Sequence, residues 1–124
     1  MNRIKKLIEL EKEATEFGFK WENSEQIMQQ IHSECIEVNE HLQAGSAVNK
    51  SNLQEEIGDL LHAVFSLCFF CNLDPEQTLE ATSNKFEKRL KMVKLIAEEK
   101  GLINVHNQPF DVLMDIWNQA KERT

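Results

Sequence analysis

Along most of this chain apolar residues return every third or fourth position, a spacing that belongs to helices rather than strands. Between residues 24 and 43, Ile27, Ile31, Val38 and Leu42 keep to one side. From about 51 to 71 the stripe is Leu53, Ile57, Leu60, Leu61, Val64, Leu67, Cys68 and Cys71, and from 75 to 99 it is Leu79, Phe86, Leu90, Val93 and Ala97. A thinner stripe, Ile4, Leu7, Ile8, Leu10, Ala14 and Phe17, marks a charged first helix over residues 2–17. Phe110, Leu113, Met114 and Trp117 predict a short last helix over 110–122. No segment suggests a strand, and there is no internal repeat. With 4 glycines and 2 prolines in 124 residues, breaks are few. The expected fold is all-α, a four- to five-helix bundle.

The breaks carry their own chemistry. Gly18 suits the C-cap of the first helix, and Asn23 or Ser24 the N-cap of the second. "QAGSAVNKSN" is the clearest loop, with Ser51 the expected N-cap of the third helix. Asp74 followed by Pro75 opens the fourth, because proline is tolerated where no backbone donor is needed. Gly101 ends it, and a loop holding Pro109 leads to the last helix.

At this length the chain is expected to form one domain over residues 1–124, with a core small enough that self-association would help to cover it. The net charge of −7 argues against a nucleic-acid partner. A small phosphorylated ligand stays open, since a cation held by carboxylates reverses the local field. Cys68 and Cys71 make a lone CxxC without the second pair that zinc needs, so Cys35, Cys68 and Cys71 are expected as small buried apolar residues. No signal peptide is visible and no apolar run approaches the ~20 residues of a membrane span. The expectation is a cytoplasmic protein with no membrane partner.

The acids do not follow the stripes. At about 100° per residue, Glu34 falls about 20° from Ile27, inside the apolar stripe of its helix, and Glu37 about 80° away, at its edge. On the third helix Glu56 and Asp59 lie about 60° and 120° from Leu53, whereas Glu55 points to water. Each helix thus offers an i, i+3 carboxylate pair at the seam. Buried carboxylates are costly and repel one another, so protonation, basic partners or metal ions must compensate. Oxygen ligands suit a hard cation, and Mg²⁺ combines a few carboxylates with phosphate oxygens. On the fourth helix Lys85 and Arg89, an i, i+4 pair bordering the apolar line, can bind anionic oxygens. Interhelical salt bridges between these acids and bases account for the same spacing.

Taken together the motifs resemble the MazG-like nucleoside triphosphate pyrophosphohydrolases of the all-α NTP pyrophosphatase superfamily. Glu34-x-x-Glu37, eighteen residues, then Glu56-x-x-Asp59 is similar to that family's metal motif. "FGFKW" resembles its GF-x-W stretch, "EEIGDLL" its EE-x-GDLL, and "LDPEQTLEATSNKFEKR" its DPE…N-x-KF-xx-R segment. The resemblance covers about residues 14–94 and leaves the C-terminal helix unassigned. It implies Mg²⁺-dependent hydrolysis of NTPs or dNTPs to monophosphate and pyrophosphate, with Mn²⁺ as a substitute, by a homodimer or homotetramer. It also implies Glu34, Glu37, Glu56 and Asp59 as metal ligands, Lys85 and Arg89 as phosphate contacts, Asn84 as a further contact, and Trp21, with Phe19, at the base or sugar pocket. Departures are Ser33 for a common Glu, Gln30 for Lys, Lys20 for Asp and Ser66 for Asn, near where the substrate would sit.

Among the carboxylates, Glu37 at the rim of the stripe is the candidate to accept the proton of the attacking water. Two other readings compete. A di-iron carboxylate bundle needs Glu-x-x-His pairs, and His62 is expected on the wet side, turned away from Asp59. A non-catalytic acidic helical module, binding a nucleotide or a partner without cleaving it, has the same composition.

Overall fold

The computed structural model describes residues 2–124. Among these residues there are five α-helices and no strand: α1 (Arg3–Phe17), α2 (Ser24–Leu42), α3 (Lys50–Phe70), α4 (Pro75–Glu99) and α5 (Phe110–Arg123). The contacts divide the chain into two compact units, Met1–Thr78 and Leu79–Thr124, with the division inside the first turns of α4. No single helix among the described residues is long and apolar enough to cross a membrane.

Local chemistry sets the helix ends. Asn2 accepts from the Lys5 N–H at 2.7 Å, and Gly18, at φ 95°, closes α1 by donating to Ala14 and Thr15. A left-handed φ here costs glycine nothing and other residues strain. Asn23 caps α2 through the Gln26 N–H, and Asp74 accepts from Glu76 N–H at 2.8 Å at the start of α4. The third N-cap differs from expectation. Asn49, not Ser51, accepts from the Asn52 N–H at 3.1 Å, so α3 starts at Lys50. Both residue types can cap; Asn49 lies first in line with an extended backbone, and Ser51 is already helical.

In the first unit α2 and α3 form the main packed pair, with α1 against α3. The pair is antiparallel, since His41 at the end of α2 lies by Glu56 while Glu34, two turns earlier, meets Glu56 and Asp59. Ile27, Glu34, Ala63 and Ser66 are its buried residues on α2 and α3. The second unit closes around Ile96, Ile116 and Ala120, flanked by Met92, Val93, Val105 and Val112. Arg123 fastens the end of α5 to α4, its two terminal nitrogens donating to the Glu99 carboxylate at 2.8 and 3.0 Å.

Two expectations about the core are corrected. Cys35 and Cys71 are exposed and Cys68 is only half-buried, because helices in a two- or three-helix arrangement bury a narrow stripe and these residues lie outside it. For the same reason Leu42, Ile57, Leu61 and Val64 of the first unit stay exposed, as do Leu79, Phe86 and Leu90 of the second.

Ile116 is 1% exposed and central to the second unit. Ile116→Ala should cost about 2–5 kcal/mol, read as a lowered denaturation midpoint in urea. Hydrogen bonds from Arg123 hold the Glu99 carboxyl below the ordinary carboxylate range. A depressed acid stabilises above its unfolded value and loses that contribution as pH falls through the folded one. Amide protection at the end of α5 should therefore decline on acidification in the native chain. In Glu99→Gln it should already be low and indifferent to that pH change.

Candidate metal centre

The seam between α2 and α3 brings together Glu34, Glu56 and Asp59, each offering one carboxylate oxygen within 4.8 Å of the others. Helical spacing produces this cluster. Glu56 and Asp59 are one turn apart on α3, and Glu34 projects from the stripe of α2 that faces them. Burial is graded, with Glu34 buried at 8% exposure, Glu56 half-buried and Asp59 exposed.

One oxygen of each glutamate is addressed by the protein. Gln30, one turn before Glu34, donates Nε2–H to Glu34 Oε1 at 2.7 Å. His41 Nε2 lies 3.9 Å from Glu56 Oε1, a distance for charge attraction rather than a hydrogen bond. The other oxygens, Glu34 Oε2 and Glu56 Oε2, are buried with no hydrogen-bond partner among the described residues. Two orphaned anionic oxygens on neighbouring helices are unstable unless a cation answers them. An all-oxygen carboxylate set fits a hard divalent ion and does not fit a soft one.

Glu37 stands outside the three-residue cluster and is exposed. It remains beside it, where the neighbouring Glu56 carboxylate, before any other cause, pushes the Glu37 carboxyl above its ordinary range. A weaker pull in the opposite direction comes from Glu34. Of the four expected ligands, three converge and the fourth sits at their rim.

Trp21 is half-buried and, with Phe19, lines a groove in the same unit. Lys85, Arg89 and Asn84 lie on α4 in the second unit. Lys85 and Asn84 are exposed, while Arg89 is half-buried, its guanidinium carbon 5.6 Å from the centroid of the Trp117 ring. Phe86 packs against the same indole at 6.1 Å between centroids. Arg89 Nε is buried and has no hydrogen-bond partner among the described residues. Periodicity placed Trp117 on the inner side of α5 without revealing which residue it meets. Glu11 was also missed; it pairs with His62 and Ser66 across α1 and α3, a contact between helices about fifty residues apart that spacing within one helix does not report. His62 is largely exposed, as its position opposite the stripe predicts, and does not join Asp59 in a cluster.

The family model described as the MazG nucleotide pyrophosphohydrolase domain matches residues 22–94, which include Glu34, Glu37, Glu56, Asp59, Lys85 and Arg89. The chain is 32% identical over 112 residues to the nucleoside triphosphate pyrophosphohydrolase/pyrophosphatase MazG of Thermotoga maritima, covering 90% of this chain and 41% of that protein. It is 26% identical over 114 residues to the nucleoside triphosphate pyrophosphohydrolase of Escherichia coli K12, covering 92% of this chain and 43% of that protein. It thus spans less than half the length of these two relatives. YabN of Bacillus subtilis, an uncharacterized protein, is 32% identical over 76 residues, 61% of this chain and 15% of its own length. With the matched region enclosing the whole acid cluster, the chain belongs to the MazG nucleotide pyrophosphohydrolase family.

Proposed function

We propose that this chain hydrolyses nucleoside or deoxynucleoside triphosphates to the monophosphate and pyrophosphate in a Mg²⁺-dependent reaction. The observation that carries the proposal is the pair of buried, unpartnered oxygens, Glu34 Oε2 and Glu56 Oε2, within an all-carboxylate cluster. Two relatives named as nucleoside triphosphate pyrophosphohydrolases support the substrate class.

Glu34, Glu56 and Asp59 would hold the cation. When bound, Mg²⁺ would lower the pKa of a water and neutralise triphosphate charge. Gln30 fixes the Glu34 carboxylate by its hydrogen bond, leaving Oε2 aimed at the site rather than at its own helix. Glu37, at the rim of the cluster beside Glu56, would accept the proton of the water that attacks the α-phosphorus. Arg89, together with Lys85 and with Asn84 as a further polar contact, would counter the negative charge that grows on the departing pyrophosphate. Stacking on Trp117 restricts the Arg89 guanidinium and leaves its N–H groups to an anion. A second copy of the chain covering the exposed apolar side chains of α3 and α4 would complete a homodimer or a homotetramer.

Metal binding and proton transfer separate by variant. Glu34→Gln, Glu56→Gln and Asp59→Asn should raise the melting temperature in chelator, because each removes like-charge repulsion. They should also lose both the Mg²⁺-induced rise and pyrophosphate release. Glu37→Gln should keep the Mg²⁺-induced rise and lose about 10²–10⁴-fold in turnover. Wild-type turnover by Asp59→Asn, or an intact Mg²⁺ response in Glu56→Gln, would contradict the assignment.

A cation–π contact is worth about 0.5–2 kcal/mol. Trp117→Ala should therefore raise KM for the triphosphate by about 2- to 30-fold with a smaller change in kcat, and Trp117→Phe should recover most of it. An unchanged KM in folded Trp117→Ala would detach the indole from substrate binding.

A further inference from the structure

The first unit contains a groove of about 920 Å³ between α1, residues 19–22 and α3. Its walls are largely apolar, with Leu7, Leu10, Trp21 and Phe69 among them, and one carboxylate is set into them. Glu11 of α1 has a side chain only 17% exposed. Its Oε1 accepts from Ser66 Oγ, and His62 Nε2 lies 2.9 Å from the same oxygen, donating to it in the tautomer that carries the proton there. Ser66 is itself 5% exposed. Glu11 lines the groove, and its hydrogen bonds to His62 and Ser66 both use Oε1, with none to Oε2 among the described residues.

Two donors on one oxygen fix the plane of the carboxylate and leave the second oxygen of this groove-lining residue as a pure acceptor among apolar neighbours. An acceptor in such surroundings favours a ligand that brings an N–H donor on a flat apolar body, and Trp21 supplies an indole for a flat ring to lie against. His62 and Ser66 follow Asp59 by three and seven residues, about 60° and 20° from it around α3. At 1.5 Å per residue they lie about 5 and 10 Å along the helix from it. That is the scale on which a nucleotide's sugar and base extend from its α-phosphate. This placement rests on the hydrolase reading of the acid cluster; the chemistry of the groove does not.

We propose that Glu11, oriented by Ser66 and His62, is a specificity-determining residue that selects amino-bearing bases over uracil and thymine. Cytosine, adenine and guanine offer an exocyclic N–H to the free oxygen. Uracil and thymine flank their one ring N–H with carbonyl oxygens, whose lone pairs the carboxylate repels. Ser66 and His62 are positioning residues, acting through Glu11.

dCTP and dUTP differ in the pyrimidine ring by the amino or oxo group and the accompanying ring proton, which makes them the diagnostic pair. Wild-type kcat/KM should favour dCTP by roughly ten- to a hundred-fold, the discrimination expected when a polar site is left unpaired. Glu11→Gln, whose amide can donate to a carbonyl, should bring the ratio close to one, and Ser66→Ala should move it part of the way. Calorimetric titration with dCMP and dUMP in chelator reads the same preference without catalysis. Absence of hydrolysis with a retained dCMP preference would overturn the hydrolase reading and leave Glu11's role standing. Equal affinity for dCMP and dUMP in the native chain would overturn the selection itself. So would full discrimination surviving in folded Glu11→Gln or, should that variant not fold, in Ser66→Ala.

Discussion

Like charges facing one another across the α2–α3 seam set the terms for the first unit. Three carboxylates offer oxygens within 4.8 Å, and two buried oxygens among them have no partner among the described residues. Hydrophobic packing cannot offset such an arrangement on its own, since Ile27 and Ala63 are the only fully apolar buried residues on this helix pair. On the proposed function a cation completes this seam, answering the two oxygens that the protein leaves unpaired. Gln30 and His41 moderate only one oxygen of each glutamate. This partial satisfaction is what distinguishes a binding site from a salt bridge. Lysine or arginine across the seam would have quenched both oxygens and left nothing to bind.

Much of this could be read in the residues alone. Helix extents followed from apolar spacing and from Gly18, Asn23, Asp74 and Gly101, each acting through its own backbone or its near neighbours. The inward turn of Glu34 followed from the angle it makes with Ile27 on one helix. What spacing could not supply were facts about pairs of helices. Whether Glu37 joins the ligands or sits at their rim depends on the crossing of α2 and α3, and a position 80° from the stripe is compatible with both. Glu11 gave no signal, because it is one of four acids of α1, with Glu9, Glu13 and Glu16, and only its packing on α3 singles it out. The cysteines were misplaced for a related reason: a stripe marks which face is apolar, and its buried width depends on how many neighbours cover it.

The exposed apolar side chains carry the same lesson to assembly. Leu61 at 55% and Phe86 at 55% exposure lie on stripes regular enough to predict helices. A monomer would leave them in water. Large apolar patches on folded chains mark surfaces that meet something. A second copy of the chain is the occupant we propose for them.

On the proposed function, one helix, α3, would serve both the reaction and the choice of substrate. Glu56 and Asp59 occupy two successive steps of the face that continues through His62 and Ser66. A nucleotide lying along this face would meet negative oxygens first, where a cation can mediate contact with phosphate. It would meet hydrogen-bonding groups in an apolar groove afterwards, where apolar walls strengthen direct recognition of a base. Reversing that order would fail physically: phosphate against Glu11 would be repelled without a cation, and a neutral base beside Glu34 and Glu56 would leave their orphaned oxygens unanswered. On the proposed reading, the gradient of polarity along α3 would give the substrate a single productive direction, set by four side chains of α3 together with Glu11 of α1.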